Sequence, residues 1–160
     1  MKISLASAIL LTDLSENTLR RRIAAGVMVR TIEDRPNGRS MIPFDAIKSE
    51  CCIPLEEGNF ELITKADQGN AEAQNDLALL FLSCAKPKKA VYWLELAIKQ
   101  KHTDAMHWLG RCYIEGNGVV QDENLGFMWL SRAAADGHII SRKMMRTICQ
   151  KIIRSDPSTF

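Results

Sequence analysis

From Asn59 to Arg154, apolar residues recur at i, i+3, i+4 and i+7, the spacing of one buried helix face, and short polar turns interrupt the runs. Two of the runs repeat. Ala73, Leu77, Ala78 and Phe81 stand 32 positions before Ala105, Leu109, Gly110 and Tyr113. Trp93, Leu94, Ala97 and His102 stand 36 positions before Trp129, Leu130, Ala133 and His138. The four extra residues fall in the second inter-helix loop, where Glu115-Gly116-Asn117-Gly118-Val119 replaces a tighter turn through Ala85 and Pro87. The pattern predicts two adjacent copies of an antiparallel helix pair, at 71–102 and 103–138, stacked in a right-handed sense.

Each copy has a packing logic. A small residue, Ala78 or Gly110, lets the second helix approach the first closely, and each second helix sets Trp93 or Trp129 beside a methyl-sized notch at Ala97 or Ala133. Gly69 and Gly137 follow helices at positions suited to a left-handed cap. Half-copies flank the pair. Lys65 to Asn70 matches Ala133 to His138, so 59–70 is expected to be the second helix of a preceding, degenerate copy. Ile139 to Arg154 is expected to be a closing helix whose polar side carries Arg142, Lys143, Arg146, Lys151 and Arg154, as a terminal cap requires. At these residues the chain resembles Sel-one-like repeats, relatives of tetratricopeptide repeats, whose pattern is similar to A-x-x-x-L-G-x-x-Y, a G-x-G-V loop, then W-L-x-x-A-A-x-x-G. Residues Ala105 to Gly137 match nearly throughout; the earlier copy lacks the glycine loop and the final glycine. The resemblance implies a mainly α fold, an α-α superhelix of helix pairs that binds protein rather than catalysing a reaction.

The first fifty residues follow a different order. Ser4 to Leu11 predicts a short helix, Ser15 to Ala25 a second helix capped by Ser15 and ended by Gly26, and Val27 to Glu33 with Ser40 to Pro43 a hairpin joined through Arg35-Pro36-Asn37-Gly38-Arg39. A third helix is expected near Asp45. This is the order of a winged helix-turn-helix, and S-x-x-T-L-R-R-R-I-x-x-G resembles the DNA-binding head of the MerR and excisionase-like families. The expected organisation is a head at 1–50, a linker at 51–58, repeats at 59–154 and a tail at 155–160. MerR relatives dimerise through a long helix after the head, and Cys51 to Gly58, with Pro54, offers none.

Composition adds constraints. The 160 residues are 46% hydrophobic and 25% charged, ordinary for a globular protein and against disorder. The +2 net charge resides in Met1 to Glu50, with eight Lys/Arg against six Asp/Glu, so any attraction to a polyanion lies there. Five cysteines without a C-x-x-C pair suggest buried thiols in the cytoplasm rather than disulfides or zinc. Ile3 to Leu11 is too short and too serine-rich for a secretory signal, and no run approaches the roughly 18 apolar residues of a membrane span.

Two surfaces are candidates for binding. On the second helix Leu19 and Ile23 are expected to face the core. Asn17 and Arg21 then lie opposite, with Thr18, Arg20 and Arg22 beside them and Arg35 and Arg39 at the hairpin tip; the family resemblance makes these the residues for double-stranded DNA. Asp13, Glu16, Glu33 and Asp34 would oppose phosphate. In the repeats, the first helices are expected to line a concave groove in which Glu72, Asn75 and Leu79 align with Asp104, His107 and Arg111, suited to a partner peptide or helix. No nucleophile has a positioned base. His107 and Cys112 are splayed on their helix, and Gly116-Asn117-Gly118 lacks the strand and lysine of a phosphate cradle. No enzyme activity, metal, cofactor or small-molecule substrate is expected. The leading expectation is a regulator or adaptor that couples a DNA-binding head to a protein-binding repeat module; the alternative is a pure interaction scaffold whose head leaves DNA alone.

Overall fold

A computed structural model describes residues 1–26, 31–32 and 40–155, excepting the side chains of residues 31, 32, 57, 152 and 155. The chain opens on a strand, β1 (Lys2–Ser4), which runs directly into α1 (Leu5–Leu11) and is followed by α2 (Glu16–Ala24). Serine hydroxyls start both helices: Ser7 N donates to Ser4 Oγ at 3.1 Å and Thr18 N to Ser15 Oγ at 3.2 Å. Strands β2 (Thr31–Ile32) and β3 (Ser40–Pro43) complete an antiparallel sheet of order β1-β3-β2, with Ile3 opposite Ile42.

Two departures from expectation occur here. β1 is too short to show an alternating pattern and exists because β3 supplies its hydrogen-bonding partners. In place of a third head helix near Asp45, two 3-10 turns, Phe44–Ala46 and Lys48–Glu50, drive Phe44 and Ile47 into the core. The segment after them is held against the head: Cys51 bridges Thr12, Cys52 N donates to Leu11 O at 2.9 Å, and Ile53 is buried.

The repeats follow as α3 (Glu57–Asp67), α4 (Ala71–Ser83), α5 (Pro87–Lys99), α6 (Thr103–Glu115), α7 (Glu123–Ala135) and α8 (Ile139–Ser155). α4 packs on α5 and α6 on α7 as the two tightest pairs, while α3 packs on α4, α5 on α6 and α7 on α8. The reason for the close pairs is visible at Gly110, where an added Cβ would lie 2.9 Å from Gly126 O and 3.0 Å from Leu130 Cγ. Ala78 and Ala90, both fully buried, hold the equivalent places in the first pair. The glycine loop joins the pairs, since a Cβ on Gly118 would come within 2.6 Å of the Pro87 carbonyl carbon at the start of α5.

Every first helix from α4 onward starts alike. Asn70 Oδ1, His102 Nδ1 and His138 Nδ1 accept from the backbone N–H of Ala73, Ala105 and Ser141, at 2.8, 3.3 and 3.1 Å. The turns before these caps also match: Gly69 and Gly137 have φ of +96° and +104°, and Lys101, where the first copy lacks its glycine, is forced to +62°.

One continuous core runs from Ile3 in β1 through Phe44 and Ile63 to Leu109 and Cys112 in α6. Polar contacts brace the head against the repeats. Ser4 N donates to Asp67 Oδ2 at 3.0 Å, and the Ser4 and Ser7 hydroxyls both donate to Asp67 Oδ1. Lys86 and Lys89 each reach Asp13 at 2.9 Å, and Lys89 also donates to Thr12 O at 2.6 Å. These hydrogen bonds, Lys86 first and then Lys89, hold the Asp13 carboxyl below its ordinary pKa.

Candidate binding surfaces

On α2, Leu19 is fully buried and Ile23 half-buried, as the helical period requires, and Asn17 and Arg21 are exposed on the other side. The arginines flanking them are engaged. Arg20 pairs with Glu16 one turn back at 2.6 Å. Arg22 is half-buried and its Nη1 donates to both Glu50 carboxylate oxygens, at 2.6 and 2.7 Å. The Thr18 hydroxyl lies 2.9 Å from Ser15 Oγ at the helix start, where it serves the cap. Arg35 and Arg39 lie outside the described residues.

The repeat surface has a different register from the expected one. Glu72 and Asp104 are exposed and Leu79 and Arg111 are half-buried, but Asn75 and His107 are each only 4% exposed and do not line a groove. The stripe that reaches solvent instead runs Glu72, Asp76, Leu79, Ser83 on α4 and Asp104, Trp108, Arg111, Glu115 on α6, with Leu79, Trp108 and Arg111 half-buried and each residue 32 positions from its counterpart. Steps of four, three and four residues keep these side chains on one line of the helix surface. Asn75 and His107 lie one residue before Asp76 and Trp108, about 100° around the helix. Apolar periodicity alone does not separate these neighbouring positions, because the flank they occupy is covered only by another repeat. On α6 the stripe is internally organised: Arg111 bonds Glu115 at 2.8 Å and lies over the Trp108 ring at 5.0 Å. Depressions of about 380 Å³ beside Glu72 and Asp76, and about 360 Å³ beside Asp104, indent it.

His107 belongs to a buried polar junction between the last two first helices. Its Nδ1 lies 2.8 Å from Ser141 Oγ, which is 2.9 Å from His138 Nδ1, and the two imidazole centroids are 4.5 Å apart. Because His138 Nδ1 accepts from Ser141 N, a neutral His138 carries its proton on Nε2, 3.4 Å from Asp104 Oδ1. The sequence of Asp, His and Ser superficially copies a hydrolytic relay, but the Ser141 side chain is wholly buried and no substrate atom can reach it. Burial, then the neighbouring His138 and Arg111, push the His107 pKa down to about 4, so the ring is neutral near pH 7.

A cleft of about 540 Å³ lies between the head and the repeats, lined among others by Ser7, Ile9, Arg20, Tyr92, Trp93 and Leu96. No local motif announces it, because its walls come from α1, α2 and α3 to α5, which only folding brings together. Among the described residues, no helix is long and apolar enough to cross a membrane and no group of side chains could hold a metal.

The family model for the Sel1 repeat matches residues 71–102 and 103–138. Among solved structures, a Sel1 repeat protein from Oxalobacter formigenes is 31% identical over 56% of this chain and 70% of its own, with a TM-score of 0.50. A protective antigen of uropathogenic Escherichia coli displaying an SLR fold is 32% identical over 49% of this chain and 18% of its own, with a TM-score of 0.46. No curated protein sequence matches. Residues 1–70 fall outside the family match. Through its two matched helix pairs, the chain belongs to the Sel1-like repeat proteins, and these repeats are a protein–protein interaction module.

Proposed function

We propose that this chain is a non-enzymatic scaffold of the cytoplasm that holds a protein partner along the α4–α6 stripe, with the head acting as a brace on the repeats. The observation that carries the reading is the line of exposed Glu72, Asp76 and Asp104 interleaved with half-buried Leu79, Trp108 and Arg111. Trp108 and Leu79 offer apolar contact, and the carboxylates favour a partner segment bearing Lys or Arg. Five cysteines free of disulfides fit a reducing compartment. The test is capture of a partner by the full chain and by a Glu72→Gln/Asp76→Asn variant, in which both altered side chains are exposed. Loss of capture with unchanged thermal stability is expected; undiminished capture by the folded variant overturns the stripe.

The second reading, DNA docking by the head, keeps one supporting observation: Asn17, Arg20 and Arg21 are exposed together on α2. Against it stand the engagement of Arg22 with Glu50 and of Arg20 with Glu16. Titration with duplex DNA at two salt concentrations separates the readings. Affinity that falls steeply with salt and is weakened by Arg21→Ala supports a DNA-binding regulator, and no binding at low salt leaves the scaffold.

A further inference from the structure

α8 differs from the first helices before it in what it offers to a neighbour. Gly110 and Ile114 of α6 make the close contacts with Gly126 of α7. Thirty-six positions later the same places on α8 hold Arg146 and Gln150, with Arg142 one turn earlier. An arginine where the fold elsewhere uses glycine or alanine prevents another repeat helix from seating at that distance. Across its seventeen residues α8 carries Arg142, Lys143, Arg146, Lys151 and Arg154 and no carboxylate. All five cations are exposed, and none forms an ion pair with a described residue. Among them stand apolar side chains: Ile139 is 65% exposed, Ile140 57% and Ile153 55%. The α7 wall adds Met128, also exposed, one turn from Ser131, which contacts Met145.

We propose that this face of α8 docks an acidic amphipathic helix of a partner protein, held further out by the arginines than a paired repeat helix would be. Charge selects the occupant, because five cations on one helix, none of them ion-paired among the described residues, attract a carboxylate-bearing segment and repel a basic one. The isoleucines and Met128 then ask for apolar side chains at helical spacing, and α8 contributes no aromatic ring on which a nucleobase could stack. The surface is separate from the α4–α6 stripe, whose carboxylates favour a partner of the opposite sign.

The experiment titrates the full chain into a fluorescently labelled synthetic helical peptide carrying Glu along one face and Leu along the other, read by anisotropy. Saturable binding is expected, weakened severalfold between about 50 mM and about 300 mM salt. Charge reversal by Arg142→Glu with Arg146→Glu should weaken it on the order of tenfold or more. Arg142→Gln with Arg146→Gln serves if the reversed variant does not fold, and Glu72→Gln/Asp76→Asn should leave it unchanged, so the stripe and α8 fail independently. A peptide of the same composition in scrambled order must bind markedly less. Equal binding of the scrambled peptide, no saturable binding at low salt, or indifference to both arginine variants would overturn the proposal. Binding of phosphatidylserine vesicles or duplex DNA through these arginines without binding of the peptide overturns it as well. So does a concentration-dependent self-association abolished by the same variants, which would make a second copy the occupant.

Discussion

Acidification should destabilise the repeats through His107. The side chain is 4% exposed, lies 2.8 Å from Ser141 Oγ, and faces His138 and Arg111, with Asp104 the carboxylate among the described residues that acts on it. Its pKa falls from 6.5 to about 4 on folding. The unfolded chain therefore takes up a proton at a higher pH than the native chain, so stability is intact above pH 6.5 and declines as pH falls toward 4. The gap between 6.5 and about 4, at roughly 1.4 kcal/mol per pH unit, puts the full loss on the order of 3 kcal/mol. Carboxylates elsewhere in the protein also titrate near the acidic end, so the comparison is with His107→Asn, which installs the residue found at Asn75, the equivalent place in the preceding copy. Urea unfolding followed by far-UV circular dichroism at intervals between pH 7 and pH 4 gives the free energy of each protein. The variant should be the less stable at pH 7, and the difference should shrink or reverse as the pH falls. A difference that stays constant across this range would refute both the buried, neutral state of His107 and the revised register of the stripe.

Gly110→Ala should lower stability by about 1 to 3 kcal/mol, because the new methyl meets Gly126 O at 2.9 Å and Leu130 Cγ at 3.0 Å; thermal or urea unfolding measures it, and a neutral result would mean that α6 and α7 separate freely. Lys101→Gly should raise stability by roughly 0.5 to 1 kcal/mol by removing a side chain from a backbone held at φ +62°, a gain visible as a higher midpoint in the same assay. Asp67→Ala removes the acceptor for Ser4 N and for the Ser4 and Ser7 hydroxyls, and should cost on the order of 2 to 3 kcal/mol. Hydrogen exchange should then show the amides of α1 losing protection before those of α6; uniform protection would argue that the apolar core alone fixes the head.

The helix pairs were legible because their determinants are local and recur. Apolar spacing, the repeated tryptophans at Trp93 and Trp129, and the small residues at Ala78 and Gly110 each constrain a few neighbouring residues in the same way twice. The α2 helix was legible for the same reason, through Ser15 and Gly26. What remained out of reach depends on residues distant in sequence. β1 exists only because Ser40–Pro43 returns to it, and Arg22 loses its freedom to a carboxylate 28 residues away. Ser141 decides that His107 is core, although it is 34 residues further along and on a different helix.

The sequence by itself determined the number and order of the described repeat helices, their pairing, and the basic character of α8, since helical period, capping and charge are carried by residues within a turn or two of one another. Only the tertiary structure decided which face of each helix meets solvent, how Asp13 and Asp67 tether the head, and which charged groups pair across the fold. Burial and ion pairing are properties of surfaces brought together by folding, and a one-dimensional pattern specifies those surfaces without saying which of them will touch.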